Sequence, residues 1–376
     1  MDVSELTRAL IAIDSVNPSL VPGGAGEREI VAYIANWSEG EGLECEVLEQ
    51  TPGRPTALVT ARGRGGGRTL LLCGHVDTVN VDGMDRPFSG HHDGDRLYGR
   101  GGYDMKAGVA AALIAARNAA TLALGGDVVV ACVADEEHSS LGVQEVLHQV
   151  QADAAIVTEP TELQLAVAHR GFVWADIEVE GVSAHGSRPH LGVDAIVKAA
   201  PILAGIGGLD QRLIAQTSHP LLERGSVHTG TINGGIERSS YPAHCTISVE
   251  RRTLPGETQQ LFEAELEQIL DQAHSTDPAL QASFATRLVR DPFTVDPDQE
   301  IVKITQQAAT QVMGSPPPVA GASYWADAAF IAAAGIPTVM FGPAGEGAHA
   351  MVEWVSASSI ETVTQTLIAV AERFCA

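Results

Sequence analysis

The chain has 376 residues, 45% of them hydrophobic, which is enough for two domains and at least one large core. Its 47 acidic and 23 basic residues give a formal net charge of −24, which argues against a nucleic-acid partner or an anionic membrane surface. The first residues do not form a signal-peptide pattern and no apolar run reaches about 18 residues, so we expect a cytoplasmic protein.

The first predicted elements lead to a strand that ends in polar residues. Apolar spacing predicts helices over 3–13 and 27–37 and strands over 43–48 and 56–61. The next apolar run, in 70–79, has no polar interruption until it reaches Gly74, His75 and Asp77. Such a run is typical of a strand buried on both faces. This strand is therefore predicted to carry polar side chains at its carboxyl end.

Three later apolar runs have the same character. They predict buried strands over 128–134, 154–157 and 336–341. These strands are followed by the carboxylate triplet 135–137, by Glu159 and by His349. Asp104 precedes an Ala-rich segment, 107–120, that predicts a helix, and an aspartate at that place most often serves as an N-cap.

The polar residues at these four strand ends suggest a metal site. In an open α/β sheet, ligands bind beyond the carboxyl ends of the strands, so we expect the four ends to lie close together. Three adjacent carboxylates repel one another unless cations or a reaction make use of them. Imidazole with carboxylate suits zinc, manganese or cobalt, and this set is large enough for two ions. Because thiolates are absent from the set, we expect an open catalytic site.

Five segments, in this order, resemble a known family. They are GHVDTV, YGRGGYDMKAG, ADEEHSS, TEPTEL and GEGAHAMVEWV. The resemblance is to the co-catalytic zinc peptidase and deacylase family, which includes acetylornithine deacetylase, succinyl-diaminopimelate desuccinylase, aminoacylase and a glutamate-releasing carboxypeptidase. It extends from about residue 10 to the C-terminus, and the specificity lies in the combination of the segments.

The resemblance implies two divalent metal ions, with zinc favoured and cobalt or manganese as alternatives. Five side chains would hold them: His75 and Glu159 on one ion, Glu137 and His349 on the other, and Asp104 between both. Asp77 would orient the imidazole of His75 without touching a metal. Glu136 would be the general base for a water activated between the ions. Glu353, four residues after His349, would either brace that ligand or be exposed.

The middle of the chain has a different pattern. Residues 171–180 alternate in polarity as a half-exposed strand does. A helix over 193–206, strands over 226–232 and 245–252, a helix over 257–273 and a strand over 282–289 follow. This β-α-β-β-α-β order is ferredoxin-like. We therefore predict an α/β fold with a mixed, largely parallel sheet flanked by helices. Residues 1–170 and 291–376 would form the catalytic domain, with an α+β domain inserted at 171–290.

In the resembled family the inserted domain makes the dimer contact and reaches over the active site, which implies a homodimer. His185 matches a histidine that stabilises the tetrahedral oxyanion, often from the partner subunit. Arg252 matches an arginine that holds the substrate carboxylate, a task that suits its planar fork. The alternatives are an ordinary turn histidine and a surface strand residue.

Other positions in this half concern the substrate pocket. Ser239 stands where the family usually has asparagine, which puts the substrate contact made there in doubt, and Glu250 replaces the usual aspartate. Ser323 and Tyr324 lie in a stretch that shapes the pocket in the family. The alternative for this stretch is the start of an amphipathic helix, capped by Ser323 or Asp327.

Three hypotheses for the function follow. The first is a metal-dependent amidohydrolase that removes the acyl group from an N-acyl amino acid, and Glu159 in a Glu-Pro-Thr segment favours it. The second is a metallo-carboxypeptidase or dipeptidase with the same mechanism. The third is a catalytically silent relative that serves as a binding protein, which is disfavoured because all five ligand positions and Glu136 are present. A serine hydrolase is also disfavoured, since the sequence has no Gly-x-Ser-x-Gly segment.

Overall fold

The computed structural model describes residues 1–216 and 219–376. Their contacts group into two compact units. Unit 1 consists of residues 1–167, 295–320 and 326–376, and unit 2 consists of residues 168–294 and 321–325. The chain therefore leaves unit 1 and returns to it, as an insertion does, and the short segment 321–325 also groups with unit 2.

The helices and strands alternate through most of the chain. The helices are α1 (Val3–Ile11), α2 (Arg28–Gly40), α3 (Ala107–Leu122), α4 (Leu141–Leu147), α5 (Ala195–Ala215), α6 (Gln259–Thr276), α7 (Glu300–Met313), α8 (Ala328–Ala333) and α9 (Ala357–Phe374). The strands are β1 (Glu44–Leu48), β2 (Thr56–Ala61), β3 (Leu70–His75), β4 (His91–Asp93), β5 (Arg96–Tyr98), β6 (Val128–Val133), β7 (Ala154–Val157), β8 (Leu165–His169), β9 (Gly171–Glu180), β10 (Ser226–Gly234), β11 (His244–Thr253), β12 (Gln281–Arg290), β13 (Phe293–Thr294), β14 (Val319–Ala322), β15 (Thr338–Met340), β16 (Gly345–Glu346) and β17 (Trp354–Ser356). One irregular turn, Gly102–Lys106, precedes α3.

Unit 1 is built on a mixed sheet in the order β1-β2-β6-β3-β7-β15-β8. The four central strands β6, β3, β7 and β15 run parallel, and β2 and β8 pair antiparallel to them on either side. Strands β3, β6 and β7 are buried along their whole length, as expected for parallel strands covered on both faces. Helix α3 packs against α9 and is buried almost all round, which explains why its sequence is so uniformly apolar.

A smaller sheet in unit 1 has the order β16-β17-β5-β4. It joins the hairpin β4–β5 to the chain that follows His349, because β17 pairs antiparallel with β5. This sheet therefore connects the chain shortly before Asp104 to the chain shortly after His349.

Unit 2 contains one antiparallel sheet in the order β10-β11-β9-β12, with α5 and α6. The element order is β9-α5-β10-β11-α6-β12, which is the predicted ferredoxin-like arrangement. Alternate residues of β9 and β11 face a core that also includes buried side chains of both helices, such as Ile202, Leu209, Phe262 and Leu266. This core is separate from that of unit 1, so the fold class predicted from the sequence is confirmed.

The structure differs from the predicted elements at a few ends. Helix α5 continues to Ala215, well past the predicted end at 206, because buried Leu209 and Leu213 compensate for a glycine-rich stretch that weakens helix formation. Strand β15 begins at Thr338, two residues later than predicted, since Pro337 has no N–H for the ladder. No helix in the described ranges is both long and apolar enough to cross a bilayer.

Candidate active site

The carboxyl ends of the central parallel strands bring predicted residues together. His75 is the last residue of β3, and its register partner on β6 is Val133, which leads directly into the triplet at 135–137. On the other side, Cys73 pairs with Val157 at the end of β7, two residues before Glu159. Each strand is apolar almost to its carboxyl end. The parallel register then brings the polar residues at or just after these ends close together.

The first group of potential ligands consists of His75, Asp104 and Glu159. The Nε2 atom of His75 lies 3.1 Å from Oδ1 of Asp104 and 3.7 Å from Oε1 of Glu159. Its Nδ1 atom lies 3.0 Å from the main-chain oxygen of Asp77. A carbonyl oxygen can only accept a hydrogen bond, so Nδ1 carries a proton, and Nε2 is the atom that would bind a metal ion.

The second group consists of Asp104, Glu137 and His349. The Nε2 atom of His349 lies 3.3 Å from Oδ2 of Asp104 and 3.2 Å from Oε2 of Glu137. In each group the donor atoms lie within 4.8 Å of one another. Asp104 thus presents one oxygen to each group, which is the geometry expected of a carboxylate that bridges two ions.

The charges of these five residues, the ligand cluster, fit divalent cations. Burial raises the pKa of Glu137, with the charge of Asp104 adding to the effect, and burial also raises the pKa of Glu159 well above its usual value. Hydrogen bonds to Asp104 and Glu137 raise the pKa of His349 to about 10. Burial thus disfavours negative charge on these carboxylates, and a bound cation would stabilise their charged form.

Glu136 lies beside the ligand cluster, on the turn that follows β6. Burial raises the pKa of Glu136 well above its usual value, and His75 partly opposes this while Glu159 adds to it. Asp135, which starts the turn, has φ 66°, a left-handed conformation that turns the chain sharply. The carboxyl group of Glu136 is thus well placed to hold or release a proton near the cluster.

Asp77 contacts this turn with its carboxylate. Oδ1 accepts a hydrogen bond from the main-chain N–H of Glu136 at 3.1 Å, and Oδ2 accepts one from that of Glu137 at 3.3 Å. The distance from Oδ1 to Nδ1 of His75 is 3.6 Å, which is too long for a hydrogen bond. The structure therefore differs from the predicted contact, since the main-chain oxygen of Asp77 receives the imidazole and its carboxylate receives the turn.

A buried polar network lies behind Asp77. The Nδ2 atom of Asn17 donates to Oδ2 of Asp77 at 2.7 Å and to Oδ1 of Asp135 at 3.0 Å. Asp135 in turn pairs with Arg54 at 2.8 Å, and Arg54 makes a two-pronged contact with Glu27 at 2.6 and 2.9 Å. Arg54 is 7% exposed, and the other members of the network are fully buried. The network fixes the turn that carries Glu136 to the start of unit 1.

In unit 2, the structure places His185 and Ser239 on neighbouring exposed loops. The main-chain N–H of Gly186 donates to the oxygen of Ser239 at 2.7 Å, and His185 forms a bridge with Ser240. The Nδ1 atom of His185 lies 2.8 Å from Oγ of Ser187, which leaves Nε2 directed away from that loop contact. The serine that replaces the usual asparagine is therefore next to the predicted oxyanion histidine.

Arg252 and the segment 321–325 share another region of unit 2. Nε of Arg252 donates to Oε1 of Glu250 at 2.7 Å, so the glutamate in place of the usual aspartate orients the guanidinium. The guanidinium also lies 5.0 Å from the ring centroid of Phe172, which packs edge-on against Trp325. The predicted contact residues Ser323 and Tyr324 immediately precede this tryptophan. Ser323 is exposed and Tyr324 is partly buried.

The other prediction for the segment around Ser323 was the capped start of an amphipathic helix, and the structure matches it only in part. Helix α8 begins right after Asp327, but neither Asp327 nor Ser323 caps it with a side-chain hydrogen bond. Asp327 is instead buried in unit 1, and its charge is one of the causes that raise the pKa values of Glu136 and Glu159.

Some residues close to the ligand cluster were not recognised from the sequence. Arg100 lies in the segment YGRGGYDMKAG and Asn17 lies in no predicted element, and neither was predicted to have a role. Glu353 was expected either to brace His349 or to be exposed. Glu353 is 1% exposed, and its carboxylate contacts the main chain of Asp104 instead of His349. The available signal for Arg100 was its place between two glycines, Gly99 and Gly101, in the segment that leads to Asp104.

Comparisons with known proteins agree with this geometry. The sequence profile of peptidase family M20/M25/M40 matches residues 71–373. An acetylornithine deacetylase from Proteus mirabilis is 30% identical to this chain, over 99% of it and 96% of the relative. An M20 family metallo-carboxypeptidase from Sulfolobus solfataricus has a similar structure, with a TM-score of 0.81 at 18% identity, covering 100% of this chain and 99% of that one.

Aminopeptidase PepT from Bacillus cereus also has a similar structure, with a TM-score of 0.80 at 19% identity, covering 100% of this chain and 98% of that one. At such identity the two structures show the fold alone. The family profile covers most of the chain, and the deacetylase relative matches it from end to end. The chain therefore belongs to peptidase family M20/M25/M40 and is a metal-dependent amidohydrolase.

Proposed function

We propose that this enzyme removes the acyl group from an N-acyl amino acid, in the manner of acetylornithine deacetylase or succinyl-diaminopimelate desuccinylase. The observation that carries the proposal is the pair of ligand groups that share Asp104, with Glu136 beside them. The name and full-length coverage of the Proteus mirabilis relative support a deacylase over other members of the family.

We infer that two divalent ions occupy the ligand cluster, one at each group, with zinc favoured and cobalt or manganese as alternatives. Nitrogen and carboxylate donors suit all three metals. When bound, such ions polarise an amide carbonyl and lower the pKa of water. The cluster residues supply donors at fixed positions, because Asp77 and the strand ends hold them in place.

Glu136 is the proposed general base. Burial raises its pKa, which supports a role in accepting a proton. In the proposed reaction its carboxylate takes a proton from the attacking water and passes it to the leaving amine. The water oxygen bonds to the acyl carbon, the C–N bond breaks, and a carboxylic acid and a free amino acid are released.

Residues of unit 2 are proposed to act on the substrate. His185 would stabilise the oxyanion, and Arg252, already oriented by Glu250, would pair with the substrate carboxylate. Ser239, Ser323 and Tyr324 would contribute further substrate contacts. The sites of these residues follow from the family resemblance, and their exposed or partly buried side chains are compatible with it.

We further propose a homodimer formed through unit 2. Strand β10 is an edge of its sheet, and Ile232 on it is 45% exposed, so a second copy could extend the sheet. Sedimentation over a range of concentrations tests this, and a monomer at every concentration would overturn it. A cytoplasmic location stays a prediction from the sequence.

The experiment for the reaction is a hydrolysis panel. The enzyme, loaded with zinc, cobalt or manganese, is offered N-acetylornithine, N-succinyl-diaminopimelate, other N-acyl amino acids, dipeptides and C-terminally blocked peptides. We expect turnover of one or more N-acyl amino acids. Preferential cleavage of peptides would favour the metallo-carboxypeptidase or dipeptidase alternative. No turnover of any substrate by enzyme with two metal ions bound would refute the enzymatic proposal.

A further inference from the structure

A buried ion pair between Arg100 and Glu353 contacts the main chain of the ligand cluster without belonging to it. Nη1 of Arg100 and Oε2 of Glu353 are 2.6 Å apart, and the two residues are 2% and 1% exposed. A buried pair of this kind is weak evidence for stability, because desolvation offsets much of the attraction. The further contacts that each partner makes indicate another role.

Glu353 holds the main chain around Asp104. Its Oε1 atom accepts hydrogen bonds from the N–H groups of Tyr103 at 2.9 Å and Asp104 at 3.1 Å, and Oε2 accepts one from Gly101 at 3.2 Å. Asp104 has φ −115° and ψ 93°, outside the helical region, so a regular helix cannot supply partners for these N–H groups. The carboxylate of Glu353 replaces those partners and thereby determines where the bridging side chain begins.

Arg100, the partner of Glu353, makes hydrogen bonds to two other loops. Nη2 donates to the main-chain oxygen of Ala350 at 3.0 Å, next to His349, and Nε donates to that of Asn80 at 2.9 Å. His349 has φ 62°, a strained conformation for a non-glycine residue that persists only where surrounding contacts hold it. Its side chain is 55% exposed, so packing around the imidazole contributes little to holding it.

The two groups of the ligand cluster differ in their dependence on this pair. His75 lies within β3, and Glu159 follows β7 by two residues, so the hydrogen bonds of the parallel sheet position both. His349 is on a loop. Arg100 contacts this loop at Ala350, and its partner Glu353 contacts the segment that carries Asp104.

We propose that Arg100 and Glu353 are positioning residues that set the separation of Asp104 and His349. They would thereby control the affinity of the group formed by Asp104, Glu137 and His349 for its metal ion. This inference rests on the proposed two-metal function. It differs from a purely structural role because it makes the effect selective for one of the two ions.

The test compares cobalt binding to the wild type, Glu353→Gln and Arg100→Lys by calorimetry, with the bound metal counted by elemental analysis and the cobalt absorption spectrum recorded. The glutamine removes the charge with little change in volume, and the lysine keeps the charge but loses the fork. Either variant should bind one ion as the wild type does and bind the second about 10- to 100-fold more weakly, the usual effect of losing a residue that orients a ligand.

Arg251→Met is the matched control, because Arg251 is 1% exposed and forms ion pairs with Glu257 and Glu265 within unit 2. It should lower the melting temperature and leave both cobalt affinities unchanged. If the Arg100 and Glu353 variants also bind two ions with wild-type affinity and spectrum, the positioning role is refuted. If the wild type binds two ions but hydrolyses no acylated amino acid, the proposed function fails and the positioning role stands. A wild type that binds fewer than two ions would overturn both.

Discussion

The carboxylate of Asp77 offers a sharp test of how the site is held. It is fully buried, and it accepts hydrogen bonds from Asn17 at 2.7 Å, from the N–H of Glu136 at 3.1 Å and from the N–H of Glu137 at 3.3 Å. The change Asp77→Asn keeps the shape but replaces one acceptor oxygen with an NH₂ donor. Every donor that faced the lost oxygen is then left without an acceptor in a dry environment.

The magnitude depends on which way the new amide points. If its nitrogen takes the place of Oδ1, only the N–H of Glu136 loses its partner, and if it takes the place of Oδ2, Asn17 and Glu137 both do. A stranded buried donor costs about 1–3 kcal/mol, so the less costly orientation should lower the free energy of unfolding by about that much. The turn at 135–137 should also loosen, which weakens metal binding by about 10- to 100-fold.

Urea unfolding of the metal-free protein measures the first effect, and zinc titration by calorimetry measures the second. Asp85→Asn is the control, since this carboxylate is 87% exposed and its ion pair with Arg86, at 3.4 Å, is expected to contribute little. The control should unfold and bind metal as the wild type does. Wild-type unfolding and wild-type zinc affinity in Asp77→Asn would show that the carboxylate does not hold the turn.

Three further substitutions test other parts of the site. Glu136→Gln should retain both metals and lower kcat by about 10²- to 10⁴-fold, as loss of a general base does; equal activity would remove Glu136 from that role. Arg54→Met should lower the free energy of unfolding in urea by about 3–5 kcal/mol, because Glu27 and Asp135 would stay buried without their cation; a loss below about 1 kcal/mol would contradict this account of the network. Arg252→Lys should raise KM about 10- to 100-fold with a smaller change in kcat, since lysine cannot form the bidentate contact, and an unchanged KM would argue against carboxylate binding there.

Much of the fold could be predicted because local patterns carry strong signals. The apolar runs that became β3, β6 and β7 are buried strands of the central sheet, and the element order of unit 2 predicted its ferredoxin-like sheet. Helix α7, at Glu300–Met313, was not predicted. Its buried face includes Thr305, Ala308 and Ala309, which give a weak apolar period.

The candidate site divides in a similar way. His75, Glu159 and the triplet at 135–137 could be predicted because each follows an apolar strand directly, and parallel strands place their ends at one edge. Asp104 looked like a helix cap, and its position between two histidines depends on a turn whose dihedral angles are irregular. The resemblance to the family, more than the local pattern, assigned it a role in binding metal.

Residue type and strand order were therefore readable along the chain, whereas the supporting contacts required the folded structure. Asn17 reaches Asp77 across 60 positions of sequence, and Arg100 reaches Glu353 across 253. No local pattern reports such contacts, because their partners come from different elements and depend on how the loops pack. Near the start of the chain Asn17 belongs to no predicted element, yet after folding its amide joins the carboxylates of Asp77 and Asp135 behind the proposed metal site.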